Sequence, residues 1–257
     1  MSFFENVPGR YDLEPFSTYH LYALALIVLL TSLIIIYRKS LGQPRIDKIV
    51  RISATLVAFG LELTYHISNF VYNTLFIKRL IPLDLCAMAL WLSFILCISK
   101  KNAVFNILYF WGVGALVSLL FPDISGIGPD KMRFYHYFGV HGYIFLTIVY
   151  FIAVHGYTIN LKALIKSVAI LFPITIVVRF IDLKYMSTIK SNWMFLASPP
   201  NINTPLSLLP QSGLSYYFCF VILGITILTL FYIPWIFVNS EPEVKTIETE
   251  IQVEQNF

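Results

Sequence analysis

The chain carries little charge. Asp, Glu, Lys and Arg make up 12% of its 257 residues, against 58% hydrophobic residues, and mean hydropathy is +0.74. That balance excludes an ordinary soluble domain, in which apolar stretches alternate with polar ones. The formal net charge of +4 is small and divided among short loops, so nucleic acid is not an expected partner. Three cysteines, all inside apolar runs, make no disulfide framework. The first residues are polar and acidic rather than basic and then apolar, so no cleavable leader is expected and the first span should remain in the mature protein. There is no nucleophile elbow and no phosphate-binding glycine loop. The five histidines include no i, i+4 pair of the kind that binds zinc on a helix, and His136 and His141 are five apart. Outer histidines and Asp123 could meet in space, but the spacing implies neither a metal nor a cofactor.

What fills the chain is apolar runs of bilayer length. They predict spans at about Tyr19–Tyr37, Val50–Tyr72, Pro82–Ile98, Phe105–Phe121, Tyr137–Val154, Ala163–Ile181 and Leu214–Val238. The expected fold is all-α: a polytopic membrane protein, a bundle of about seven transmembrane helices in a single domain over residues 1–238. An acidic tail over 239–257, with Glu241, Glu243, Glu248, Glu250 and Glu254, should be disordered. The first loop holds Arg38, Lys39, Arg45 and Lys48, with Arg51 at its end. The positive-inside rule therefore places that loop in the cytoplasm, the N-terminus outside and the tail inside, for a multi-pass protein of the cell membrane. Lys78 and Arg79 make a short turn, and the long loop Asp182–Gly213 carries four prolines.

This topology brings polar groups far apart in sequence to one depth. His20, His66, Cys86, Asp123, His136, His141, Arg179 and Asp182 all fall near the outer ends of their spans, and the long loop with Asn192 is outside too. His155 is the exception, about 21 Å from His141 at the 1.5 Å rise of a helix. At 100° per residue Arg51, Thr55, Glu62, His66, Asn69 and Asn73 share one stripe of the second span. Cys86, Ser93 and Cys97 stripe the third. Polar groups at such depth need partners or water, so the Glu62, His66 and Asn69 stripe reads as a cavity lining, against hydrogen bonding that merely fixes helix packing. Cys86 is a candidate nucleophile with His141 or His66 as its base, against the usual fate of a buried inert thiol. Asp84 lies about 200° round a helix from Cys86 and suits an N-cap. A helix beginning there would aim its positive end at the thiol. The many aromatics belong to interfacial belts and packing.

Several segments carry a family resemblance. Phe16-Ser-Thr-Tyr-His-Leu21 opens the first span, Leu80-Ile-Pro-Leu-Asp-Leu-Cys86 opens the third, and Phe121-Pro-Asp123 follows the fourth. The His136 to His141 region and Asn192-Trp-Met-Phe-Leu196, followed by Pro199-Pro200, add to them. With the hydropathy pattern, the chain resembles over nearly its whole length the YwaF family of bacterial integral membrane proteins, relatives of transmembrane protein 164. The resemblance implies a multi-span acyltransferase acting on lipids through a Cys and a His.

The expectation that follows is acyl transfer between lipids near the outer leaflet. Cys86 is then the nucleophile and His141 the base, with His66 assisting. Membrane phospholipid is the acyl donor or acceptor, and no cofactor is required. Glu62, Asn69, Asp84, Asp123, His136 and Asn192 are the groups expected to face substrate, with Asn192 a donor to the oxyanion. The alternative, from another class, is a small-solute transporter or binding protein that uses the Glu62, His66 and Asn69 stripe as its path.

Overall fold

The computed structural model describes residues 2–72, 81–124, 126–189, 191–200 and 205–239, and these contain helices but no strand. In chain order the α-helices are α1 (Thr18–Ile36), α2 (Arg38–Leu41), α3 (Pro44–Val71), α4 (Leu85–Ser99), α5 (Asn102–Trp111), α6 (Val113–Leu120), α7 (Met132–His155), α8 (Leu161–Ile189) and α9 (Gly213–Asn239). Five tracks are long and apolar enough to cross a bilayer: α1, α5 with α6, α7, α8 as far as Tyr185, and α9. α3 follows the second expected span with its polar stripe, and α4 the third, with 15 residues. The chain is an all-α polytopic membrane protein. Asn73, the Lys78–Arg79 turn and the acidic tail from residue 240 onward lie outside the described residues.

Local chemistry sets the boundaries. α3 opens on Pro44, where the missing N–H would have no helical partner anyway. α4 starts after Asp84, which has the extended backbone of an N-cap. It ends on Lys100 in the left-handed region at φ 53°. α7 ends on Gly156 at φ 67°, where glycine carries no Cβ penalty. The fourth span is broken at Gly112. A Cβ there would stand 2.4 Å from Ile148 Cδ1 and 2.9 Å from the Leu108 carbonyl oxygen, so only glycine lets the α5–α6 junction approach α7 this closely.

α7 is the centre of the bundle and packs against α1, α3, α4 and α6. Of its apolar window 61% is buried, against 6% for α1 and 11% for α9, which leaves those two helices facing outward. α8 packs on α5, and α9 on α8. The main core gathers Ala89, Leu90, Leu96, Phe105, Leu108, Ile144 and Phe151, all fully buried.

Two polar assemblies close the ends. At one end the segment before α1 folds back over the 122–131 loop. Gly9 N–H donates to the Gly126 carbonyl at 2.8 Å, Met132 N–H to the Phe3 carbonyl at 2.9 Å, and Arg10 N–H to Asp130 Oδ2 at 2.7 Å. The Arg10 bond holds the Asp130 carboxyl below the ordinary carboxylate range. His20 is fixed in the same region: its Nδ1 accepts Phe16 N–H at 2.7 Å, so its Nε2–H donates to the Leu119 carbonyl at 2.7 Å. At the other end a buried Asp47 ties three helices. Arg51 of its own helix grips it twice at 2.9 Å, while Tyr150 hydroxyl (3.1 Å) and His155 Nε2 (2.9 Å) reach it from α7. Lys100, at the end of α4, completes the set, and Arg51 also donates to the Cys97 carbonyl.

The structure shifts two sequence expectations. α7 begins at Met132 rather than Tyr137, which puts His136 and His141 inside the helix instead of flanking its start. The polar loop ending in Lys131 and Arg133 hid this boundary, although apolar residues alternate through it. Cys86 lies in the first turn of α4 rather than a turn further in, because the helix starts at Leu85.

Candidate functional site

Three elements converge at the end of the bundle covered by the N-terminal segment. They are the later turns of α3, the first three turns of α7, and the junction of α4 with α6.

α3 contributes Glu62 and His66, one turn apart on the face toward α7. His136 Nε2 lies 2.7 Å from Glu62 Oε2, and His66 Nε2 lies 3.0 Å from Glu62 Oε1. The tautomer of His136 follows from its other nitrogen. Arg133 Nη1, which can only donate, stands 2.6 Å from His136 Nδ1, so the proton of His136 sits on Nε2 and points at Glu62. Arg133 lies over the ring of Tyr65 at 4.5 Å and that of Tyr137 at 5.5 Å, and His136 stacks on Tyr65 at 4.1 Å. Glu62 as carboxylate accepts from both imidazoles. That leaves the Nδ1 lone pair of His66, which is buried and has no hydrogen-bond partner among the described residues.

α7 carries the contacts onward. His141 Nδ1 lies 2.7 Å from the Tyr137 carbonyl oxygen, an acceptor only, so Nδ1 holds the proton and Nε2 is the basic nitrogen of the neutral ring. The rings of His141 and Tyr137 meet at 4.3 Å. Tyr137 hydroxyl donates to the Ser118 carbonyl at 3.0 Å and receives the Asp123 N–H at 3.3 Å. Ser118 Oγ is 3.6 Å from Cys86 Sγ. A Cβ at Gly114 would stand 3.1 Å from Leu85 Cδ2, so the glycine eases the approach of the first turn of α4 to α6. A connected set of contacts therefore runs from Cys86 through Ser118 and Tyr137 to His141 and Arg133, and through His136 and Glu62 to His66.

The expected site residues divide between this set and other surroundings. Cys86, His141, His66, Glu62 and His136 belong to it. Among the described residues no imidazole nitrogen hydrogen-bonds the Cys86 sulfur; its polar partner is Ser118. The histidines are instead oriented by Glu62, Arg133 and the Tyr137 carbonyl. Asn69 donates to the Tyr65 carbonyl at 2.8 Å and receives Asn6 of the N-terminal segment at 3.3 Å. Asp123 is exposed and enters through its backbone. Asp84 Oδ1 accepts Met194 N–H at 3.1 Å. Asn192 directs its amide N–H groups at Ser198, at 2.8 Å to the carbonyl and 3.2 Å to Oγ, while its Oδ1 accepts Ala197 N–H at 3.1 Å. Asn192 thus shapes the turn that follows α8, in which Met194 and Phe195 hold positive φ and Trp193 is buried in a cluster with Val178, Leu196 and Tyr217, against which Leu83 packs.

Sequence reasoning did not place Arg133, Tyr137, Tyr65 or Ser118 in the site. The signal for the first two was present. Arg133, His136, Tyr137 and His141 follow i, i+3, i+4 and i+8, a single face of a helix, which becomes visible once the helix starts at Met132.

A family model described as the TMEM164 family matches residues 15–233. No curated protein and no solved structure matches the chain.

Proposed function

Because the chain belongs to the TMEM164 family, we propose that it is an integral membrane acyltransferase that moves an acyl chain between lipids through Cys86 and the adjoining histidines. One observation carries this reading: a thiol, three imidazoles with assignable basic nitrogens, a carboxylate and a guanidinium lie in one continuous network at one end of an apolar bundle. In the first half-reaction the Cys86 sulfur attacks the carbonyl carbon of a lipid ester as its proton leaves. The bond from that carbon to the lipid oxygen breaks, the oxygen takes up the proton, and the acyl chain remains as a thioester. In the second, an acceptor hydroxyl gives its proton to the imidazole and attacks the thioester carbonyl, and the thiol is restored. His141, with Nε2 basic, is the base of choice. His66, held by Glu62, is the second. Sulfur and imidazole approach when lipid fills the site, as catalytic hydrogen bonds commonly tighten with substrate.

The basic first loop supports an orientation with the N-terminus outside, and on this reading the site lies near the outer leaflet of the cell membrane. Soluble acyl-CoA is absent there, so the acyl donor is a membrane phospholipid. A membrane-impermeant thiol label should reach a cysteine introduced at Ser198 in intact cells and one at Gly42 only after lysis. The reverse pattern would overturn both the orientation and the phospholipid-donor argument.

The activity is tested by reconstituting the purified protein into vesicles with a phospholipid bearing an isotope-labelled acyl chain and an unlabelled lysophospholipid. Labelled chain should appear on the acceptor only with protein present. Equal labelling with and without protein would contradict the proposal and favour the transport reading of the Glu62, His66 and Asn69 stripe.

A further inference from the structure

Arg133 neither attacks nor takes protons in the reaction above, yet it stands half-buried in the second position of α7 with most of its bonding capacity unused. A guanidinium has five N–H donors. One lies against His136 Nδ1, and no other acceptor hydrogen-bonds this side chain among the described residues. The side chain is half-buried, and its guanidinium carbon lies 4.5 Å from the Tyr65 ring centre and 5.5 Å from that of Tyr137. The carboxylate that balances it, Glu62, is reached only through the neutral His136. Arg133 therefore presents a rigid, weakly hydrated cation whose remaining donors match a group with paired anionic oxygens.

Its depth narrows the ligand. α7 has 24 residues, a length of about 36 Å at 1.5 Å per residue, which exceeds a hydrocarbon core of about 30 Å. Arg133, its second residue, thus sits at the level of lipid headgroups. Tyr137, one turn below, leads to Ser118 and Cys86. A glycerophospholipid has the matching order: an anionic phosphodiester at the interface and, a few bonds deeper, an acyl ester. We propose that Arg133 binds the phosphodiester of the lipid substrate, and so sets the ester against Cys86 and selects phospholipids over uncharged glycerolipids. The assignment rests on the acyltransferase reading and makes Arg133 a binding and positioning residue. Free inorganic phosphate offers the same oxygens, but it lacks the chains that would hold it in an apolar bundle.

Binding can be read apart from catalysis. The purified full-length Cys86→Ala protein is titrated with a short-chain phosphatidylcholine and with the diacylglycerol of the same chains, with inorganic phosphate as a competitor. The phosphatidylcholine should bind about tenfold or more tightly than the diacylglycerol, consistent with a charge-assisted bidentate contact. Arg133→Gln on this background should erase the difference by weakening phosphatidylcholine alone, and millimolar phosphate should not displace the lipid. Should the glutamine variant fail to fold, Arg133→Lys keeps the charge without the planar fork and should lower the preference severalfold. An unchanged preference in the variant that folds, an equal loss for both lipids, or displacement by free phosphate would each overturn the assignment. Absence of acyl transfer by the protein with Cys86 intact would overturn the acyltransferase reading while leaving this binding ratio to stand or fall alone.

Discussion

Cys86→Ala should lower acyl transfer about a thousandfold or more, the scale on which removal of a nucleophile acts. The bundle should stay folded. Cys86 is half-buried in the first turn of α4, and its polar contact is one long hydrogen bond to Ser118 Oγ at 3.6 Å. Losing a contact of that kind costs about 1 kcal/mol or less. Cys86→Ser separates the functional readings further. A serine hydroxyl keeps the size and the Ser118 contact but is a far weaker nucleophile than a thiolate, so transfer should collapse almost as completely. A transport path would tolerate the exchange. The assay is transfer of labelled acyl chain in vesicles, and retention of more than a tenth of wild-type rate by the alanine variant would move the nucleophile elsewhere in the network.

Asp47→Ala should be the most destabilising single change of the opposite end. Its carboxylate receives Arg51 twice, Tyr150, His155 and Lys100. Arg51 is itself buried, so removing Asp47 strands a guanidinium among the ends of α3, α4 and α7. Breaking a buried pair from one side costs about 3–5 kcal/mol. For a chain of this size that is a fall in Tm of about 6–20 °C, measurable by thermal unfolding in detergent. Acyl transfer below that transition should survive, because the assembly lies at the far end of α3 from Glu62. A Tm within about 2 °C of wild type would show that water or lipid replaces the carboxylate there.

The pattern of spans was legible because length and hydropathy carry it: α1, α3, α8 and α9 run within a few residues of their expected cores or extend them. Charge near a helix end was less legible. Arg133 beside Lys131 reads as loop, yet it lies in helix α7 against His136 and Tyr137 of its own face, and the Tyr65 ring reaches it only because α3 is alongside. The stripe on α3 was real, but it serves two assemblies. Arg51 and Thr55 belong to the Asp47 end, with Thr55 bonded to Tyr143 at 2.8 Å, while Glu62, His66 and Asn69 face the other. A helical wheel discards the coordinate along the axis, and Arg51 and Glu62 differ there by about 16 Å. The pairing of Glu62 with His66 could be read from their i, i+4 spacing, whereas His136 as its second partner could not. Asn192 shows the reverse limit. Its residue type suits an oxyanion donor, but local turn geometry directs its amide to Ser198.

In the proposed reaction an acyl chain rests on Cys86 between the two half-reactions. Mass spectrometry of the intact protein after brief exposure to a phospholipid, without acceptor, tests it most directly. The expected result is a mass increase of one acyl chain, located on the peptide containing Cys86, removed by neutral hydroxylamine and absent from Cys86→Ser as a thioester. Rapid turnover without any adduct on that peptide, or an adduct elsewhere, would contradict it.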